Sequence, residues 1–334
     1  MNRKEFLKTA FWGGAGLTLL PTASFASAAE NVPNEALETV SGDRPVKCLK
    51  THLIKQFGTP AVFENEKADE LVNIASLTKL MTLSIVFEHV EAGTLNPEDI
   101  LSIPRSVRDQ TWTSGFYKIS VDQAMRLAAV KSFNDAAIML ARKIAGSEQK
   151  FVRDYMAPKA KELGMSNTKF YNASGLPLTG RNSRGKYYRL DSFSTANEVA
   201  LLCEHIWGDY PEHSKIFEDT KIKTGPRRGN EEFENSNPFL LGAEGERAAP
   251  YTVNNRTVNR GKSGWLSTAG HNFAAVAQDP NLGKILVVAT GFQSWEERNE
   301  EMPKFFDQGF EELAKRRPVN ALKFLQPVPL VSYF

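Results

Sequence analysis

The stretch Ile74-Ala75-Ser76-Leu77-Thr78-Lys79-Leu80-Met81-Thr82 constrains the fold of this chain more than any other. Apolar residues follow at Leu80, Met81, Leu83, Val86, Phe87 and Val90, close to helical spacing, and predict a buried helix closed by Ala92-Gly93. Ser76 falls on the first turn of that helix, with Lys79 one turn on and on the same face. A serine hydroxyl is a weak nucleophile until a base takes its proton. Lysine is such a base only where its ammonium form is destabilised, and burial among leucines and methionines does that. The free N–H groups and positive dipole end at the helix start favour an oxyanion in the same place. One short stretch thus offers a nucleophile, a base and part of an oxyanion hole.

Spacing alone carries no such meaning. Ser-x-x-Lys recurs at Ser147/Lys150, Ser166/Lys169 and Ser183/Lys186, in polar, turn-like surroundings that leave the lysine hydrated and protonated. Only Ser76/Lys79 opens a long apolar helix.

The chain is 334 residues long and 41% hydrophobic, enough for one large domain or two small ones. Its first residues read as a targeting segment: Arg3, Lys4 and Lys8 precede an apolar run from Ala10 to Leu20, and Ala26-Ser27-Ala28 offers a cleavage site. Arg3-Lys4-Glu5-Phe6-Leu7-Lys8 resembles a twin-arginine signal with lysine as the second basic residue, and an ordinary secretory signal fits equally. Either route predicts an exported protein, in the periplasmic or cell-wall space. Without residues 1–28 the charge is close to neutral, which gives no support to a nucleic-acid partner. Cys48 and Cys203 are too few for a disulfide framework and read as two small buried residues.

Residues 29–44 are polar and turn-rich and read as a flexible leader. Val46 to Phe57 and Ala61 to Phe63 predict a strand pair that delivers the chain to the Ser76 helix. A second helix is expected from Ser120, broken at Lys131-Ser132-Phe133-Asn134-Asp135 and resumed from Ala136 to Ala145. Phe151 to Leu163 predicts a helix, Phe170 to Pro177 a strand and turn, and 179–192 a basic, flexible loop. Another helix begins at Ser194-Thr195-Ala196-Asn197-Glu198. Asn272–Ala277 and Lys284–Thr290 read as consecutive strands, and Pro303–Ala314 as a last helix.

Lys-[Ser/Thr]-Gly occurs twice. Lys223-Thr224-Gly225 runs into Pro226, which cannot continue a central strand. Lys262-Ser263-Gly264 leads through Trp265 to the Phe273–Ala277 strand. A strand edge of that kind lets a substrate lie alongside: glycine permits close approach, while lysine and hydroxyl grip a carboxylate.

Ser76-x-x-Lys79, Ser132-x-Asn134 and Lys262-Ser263-Gly264 stand in that order, and with them the chain resembles the serine D-Ala-D-Ala carboxypeptidases, the low-molecular-mass penicillin-binding proteins. The resemblance extends to Ala160-Lys161-Glu162-Leu163-Gly164-Met165, Asn172-Ala173-Ser174-Gly175-Leu176-Pro177 and Ser194-Thr195-Ala196, and covers about residues 45–312. It implies an α+β, DD-peptidase/β-lactamase-like fold, an antiparallel sheet flanked by helices with a helical subregion. The implied catalytic domain spans 45–314, with a short tail at 315–334. The resemblance makes Ser76 the acylated nucleophile and Lys79 its base. Ser132 and Lys262 relay the proton to the leaving amine, and Asn134 holds the substrate amide. Ser263, after which Gly264 lets the substrate in, binds the terminal carboxylate, and the Ser76 and Trp265 N–H groups form the oxyanion hole.

Implied partners are peptidoglycan stem peptides ending in D-Ala-D-Ala, with β-lactams as inhibitors, and no cofactor or metal. Departures from the family pattern are Ser263 for threonine, Ser192-Phe193 where a histidine is usual, Trp265-Leu266 after the glycine, and Pro238 after Asn235-Ser236-Asn237. Pro318, Pro327 and Pro329 argue against a C-terminal membrane-anchoring helix. A β-lactamase is disfavoured because no Glu-x-x-Leu-Asn segment is present. A D,D-endopeptidase, or a catalytically silent wall-binding scaffold on the same fold, are the remaining alternatives.

Overall fold

A computed structural model describes residues 48–102, 104, 105, 107, 118–223, 231–245 and 247–316. The expected signal peptide, the leader and most of the C-terminal tail lie outside these residues, as do Thr224 and Gly225.

In chain order, β1 (Thr51–Gln56) and β2 (Val62–Glu66) form the expected pair, turned at Gly58. β3 (Val72–Asn73) leads into a 3₁₀ turn, Ala75–Leu77, and then α1 (Thr78–Glu91). β4 (Ile100–Ser102) pairs with β5 (Lys118–Ser120). Ser120 caps α2 (Val121–Arg126) in a reciprocal box with Gln123, as its sequence suggests. α2 widens into a π-turn, Leu127–Lys131, that ends at Ser132 in a left-handed conformation, φ 63°. α3 (Asn134–Ala145) follows, starting at Asn134 rather than Ala136. α4 (Glu148–Phe151) runs through a second π-turn into α5 (Ala157–Glu162).

Three expectations fail here. Phe170–Pro177 is a run of bends without a strand, with a single bridge from Lys169 to Phe193 beside it. Residues 179–192 contain β6 (Leu178–Arg181) and β7 (Tyr187–Leu190), a hairpin whose turn is closed by Asn182 Oδ1, which accepts from the N–H groups of Arg184 and Lys186. Thr179–Tyr188 fall in a different compact unit from the rest of the described residues. Cys48 is exposed; only Cys203 is buried, and both are free thiols.

β8 (Phe193–Ser194) pairs with β3, and Thr195 caps α6 (Ala196–Glu204). β9 (Lys221–Lys223) and β10 (Glu232–Glu234) make a small ribbon. β11 (Thr257–Leu266), β12 (Gly270–Asp279) and β13 (Gly283–Phe292) close the main sheet, whose antiparallel order is β11-β12-β13-β1-β2. α7 spans Trp295–Lys315, starting eight residues before the expected Pro303. Ser294 caps it by accepting from Glu297 N–H, and Pro303 sits in its interior, leaving the Asn299 carbonyl without its helical donor.

The central strands of the sheet are buried on both faces. Period-two alternation puts Leu53, Ala274, Val276, Leu286 and Val288 in a core shared with α1, α2, α3 and α6. Ile54, Phe273, Ala275, Ala277, Ile285 and Val287 point the other way, onto Met302, Phe306 and Phe310 of α7. Packing on all sides leaves α1 buried from Thr78 to Phe87, polar residues included. A lysine on this helix has nowhere to hydrate.

Candidate active site

Ser76 lies in the 3₁₀ turn that opens α1, reached through Ala75 at φ 49°, a region costly for a residue with a Cβ. The turn is held from outside: Ile74 N–H donates to the Ser192 carbonyl at 3.0 Å, and Asn272 Nδ2 donates to the Asn73 carbonyl at 2.8 Å. One helical step on, Lys79 is fully buried. Its Nζ lies 3.0 Å from Ser76 Oγ, 2.8 Å from Asn134 Oδ1 and 2.6 Å from the Ser174 carbonyl. Burial, and then the charge of Lys262, hold this amine well below the usual lysine range, against a smaller opposing pull from buried Asp135.

Ser132 and Asn134 enter from the break between α2 and α3. The left-handed Ser132 stops the helix and turns its hydroxyl to Lys262 Nζ, 2.7 Å away, while Asn134, first residue of α3, faces Lys79. Lys262 comes from β11, the edge strand of the main sheet, and is also fully buried. It donates to the Ser263 carbonyl at 2.8 Å, and burial pushes its pKa down to about 7. The next residues form the wall of the site. A Cβ on Gly264 would lie 2.8 Å from the Ile74 carbonyl and 3.2 Å from Ser76 N, so only glycine lets this strand close on the serine turn. Ser263 is half-buried beside it, and Trp265 is 58% exposed with its ring 5.9 Å from that of His271.

The residues expected at the site thus gather at one place. Ser76, Lys79 and Asn134 share one set of hydrogen bonds, and Ser132 and Lys262 form a second pair. The rival lysine, Lys223, sits exposed on the β9–β10 ribbon, 3.6 Å from Glu232. Ser147, from one of the other Ser-x-x-Lys matches, is a plain helix cap that accepts from Lys150 N–H.

Two participants escaped the sequence reading. The Ser174 carbonyl takes the shortest of the Lys79 contacts, and a backbone oxygen leaves no trace in a side-chain pattern. Asn172 shapes the loop that presents it: its Oδ1 accepts from Ser174 N–H, Ser174 Oγ and Gly175 N–H, at 3.0, 3.2 and 2.7 Å. Thr82, one turn after Lys79, donates to the Ala173 carbonyl at 2.7 Å and ties the same loop to α1. The Asn172–Pro177 segment was legible as family-like, without a role for either residue.

Known proteins resemble this chain in sequence and fold. Among curated relatives, the chain is 26% identical over 312 residues to D-alanyl-D-alanine carboxypeptidase DacC of Escherichia coli, covering 89% of this chain and 67% of that one. It is 27% identical over 278 residues to D-alanyl-D-alanine carboxypeptidase DacA of Haemophilus influenzae, covering 80% and 63%. The chain therefore spans about two thirds of the length of these relatives. Penicillin-binding protein D2 of Listeria monocytogenes, solved with cefotaxime bound, shares the fold at a TM-score of 0.64 and 23% identity, covering 80% of this chain and 99% of that one. The family described as D-alanyl-D-alanine carboxypeptidase matches residues 49–292, a span that contains both serine–lysine pairs. By that match, over most of its length, the chain belongs to the D-alanyl-D-alanine carboxypeptidase family.

Proposed function

We propose that this chain is an exported, penicillin-sensitive serine D,D-carboxypeptidase that removes the terminal D-Ala from peptidoglycan stem peptides, with its catalytic domain at 45–314. The observation that carries this reading is the environment of Lys79. A neutral amine has two hydrogens and one lone pair. The Ser174 carbonyl and Asn134 Oδ1 can only accept, so they take the two hydrogens and leave the lone pair at Ser76 Oγ, 3.0 Å away. Burial favours the neutral amine, and in that form the contact is a general base beside its nucleophile.

In the acylation step Ser76 Oγ attacks the penultimate D-Ala carbonyl and its proton passes to Lys79. The Ser76 and Trp265 N–H groups receive the oxyanion, at the point where β11 abuts the serine turn. The C–N bond breaks as Ser132 Oγ gives its proton to the leaving nitrogen, and Lys262, as ammonium, replaces that proton. Water then attacks the acyl-serine and returns a proton to Ser132 and Lys262, while Lys79 gives its own back to Ser76. Each proton is accounted for, and the resting state needs a neutral Lys79 and a charged Lys262. Burial lowers both amines and the charge of Lys262 lowers Lys79 further, which is in keeping with that assignment. The carboxylate of the substrate lies against Ser263, its backbone along the β11 edge beside Gly264, and its amide on Asn134.

A β-lactam presents a similar amide and acylates the same serine; the cefotaxime-bound Listeria protein, of the same fold, is in keeping with that. Intact mass after brief and long exposure to penicillin, together with D-Ala release from a peptide ending in D-Ala-D-Ala, tests the proposal. A single long-lived adduct and D-Ala release, both lost in Ser76→Ala, are expected. Release that persists in Ser76→Ala overturns it, and cleavage of cross-linked dimers without release of terminal D-Ala assigns the chain to endopeptidases.

A further inference from the structure

The Ser132–Lys262 contact joins two elements with no chain connection near the site, so their spacing has to be set by something that touches both. Asn235-Ser236-Asn237 runs between them. Asn235 anchors the segment: its N–H donates to the Thr220 carbonyl at 2.8 Å, and its Nδ2 to the Asp219 carbonyl at 2.7 Å. On one side, Ser236 N–H donates to the Val130 carbonyl at 2.7 Å. In an unbroken helix that carbonyl would accept from Asn134 N–H; the left-handed Ser132 breaks the helix and frees it for an outside donor.

On the other side, the Asn237 side chain is fully buried against Gly261. A Cβ at Gly261 would lie 2.7 Å from Asn237 Nδ2 and 2.8 Å from the Phe273 ring, so the amide occupies the place a side chain would take. Asn237 is fixed in turn, its N–H donating to Asn235 Oδ1 at 2.8 Å and its Oδ1 accepting from Phe239 N–H at 3.0 Å. Past it, Leu240 bridges Val258 in parallel and keeps the segment on the outer edge of β11. Val130 stands just ahead of Lys131 and Ser132, and Gly261 immediately precedes Lys262.

We propose that Asn235–Asn237 is a spacer that fixes the separation of Ser132 and Lys262, with Asn237 as a positioning residue for that pair. It acts through Gly261 and the Val130 carbonyl and touches no reacting atom. The catalytic consequence rests on the carboxypeptidase reading above; the geometric claim does not. Loosening the spacer opens the Lys262 ammonium to water without disturbing Ser76 or Lys79. Lys79, whose amine is lowered by the Lys262 charge, stays in place, and burial is what depresses Lys262 itself.

The experiment compares wild type with Asn237→Ala, and with Asn237→Ser should the alanine variant not fold. The serine variant keeps a short acceptor near Phe239 N–H while vacating the space over Gly261. Two quantities are read: the rate of acylation by penicillin, and the titration of Lys262 followed by NMR of its ε-carbon. Acylation should slow about tenfold or more, since misplacement on the ångström scale is enough for that. The Lys262 titration should move up by about one pH unit or more as water reaches the amine. Acylation at the wild-type rate overturns the proposal, and so does slower acylation with the Lys262 titration unmoved, which marks a merely structural role. If wild type takes no adduct yet the variant shifts the titration, the spacer stands and the carboxypeptidase reading falls. With no adduct and no shift, both fall.

Discussion

The two serine–lysine pairs of this site have similar contacts and different origins. Ser76 and Lys79 are three residues apart and one helical turn brings them together. Ser132 and Lys262 are 130 residues apart, meet at 2.7 Å, and depend on a helix break, an edge strand and whatever holds the two in register. Both lysines are buried without a carboxylate partner at hydrogen-bond distance among the contacts described, and both amines are depressed. The first pair is written into local sequence; the second exists only in the folded chain. Disturbing tertiary structure should therefore damage the second pair before the first.

The largest effect expected comes from removing the distant lysine. Lys262→Met should lower turnover by about a hundredfold or more, as loss of a general acid does, while the protein becomes more stable at acid pH. The sign follows from the depressed pKa. Below about pH 7 the folded protein carries a buried charge that the unfolded chain carries in water, and the full penalty applies. As pH rises from there toward the ordinary lysine value, the folded amine is neutral and the penalty fades. Thermal melts across pH 6 to 10 should show the advantage of Lys262→Met shrinking with pH; an advantage that grows with pH contradicts the assignment.

Gly264→Ala strikes the seam between the two pairs. Its Cβ meets the Ile74 carbonyl at 2.8 Å, so the strand or the serine turn must shift. Penicillin acylation should slow about tenfold or more with the fold retained by circular dichroism. A variant as fast as wild type would mean that the β11 edge does not govern the site.

Asn172→Ala is a milder blow, aimed at the local pair through one of its distant supports. Four bonds to the loop around Ser174 are lost at once, three to Asn172 Oδ1 and one from its Nδ2 to the Leu176 carbonyl. Denaturant unfolding should register about 1–3 kcal/mol, with acylation slowed less than in Gly264→Ala. The reverse order of the two variants would mean that Lys79 depends on the Ser174 carbonyl more than on α1.

Least of all should come from Ser147→Ala, where the same Ser-x-x-Lys spacing does nothing but cap α4. It should cost about 1 kcal/mol of stability and leave acylation unchanged.

What could be read from sequence divides along the same line. The Ser76 helix, the Ser120 cap and the rejection of Lys223 followed from neighbouring residues, because burial, capping and a proline break are local. The contact of Ser132 with Lys262 was reachable only through family likeness. The Ser174 carbonyl could not be found at all, since its role comes from where a loop places a backbone oxygen. Two element errors have equally physical causes. Four basic residues, Arg181, Arg184, Lys186 and Arg189, suggested a solvated loop, although Asn182 and Gly185 carried the chemistry of a hairpin turn. Pro303 read as a helix start because proline favours that position, and the true start was the cap at Ser294.

One measurement goes directly to the central claim that burial makes Lys79 a neutral base for Ser76. Protein carrying lysine labelled at the ε-carbon is titrated by NMR from acid to alkaline pH, beside Lys79→Met and Lys262→Met to assign the resonances. Two signals should titrate far below the rest: one near pH 7, lost in Lys262→Met, and another well below the ordinary lysine range, lost in Lys79→Met. A Lys79 signal that stays protonated until the pH reaches the ordinary lysine value would leave Ser76 without its base, and the account of this site would be wrong.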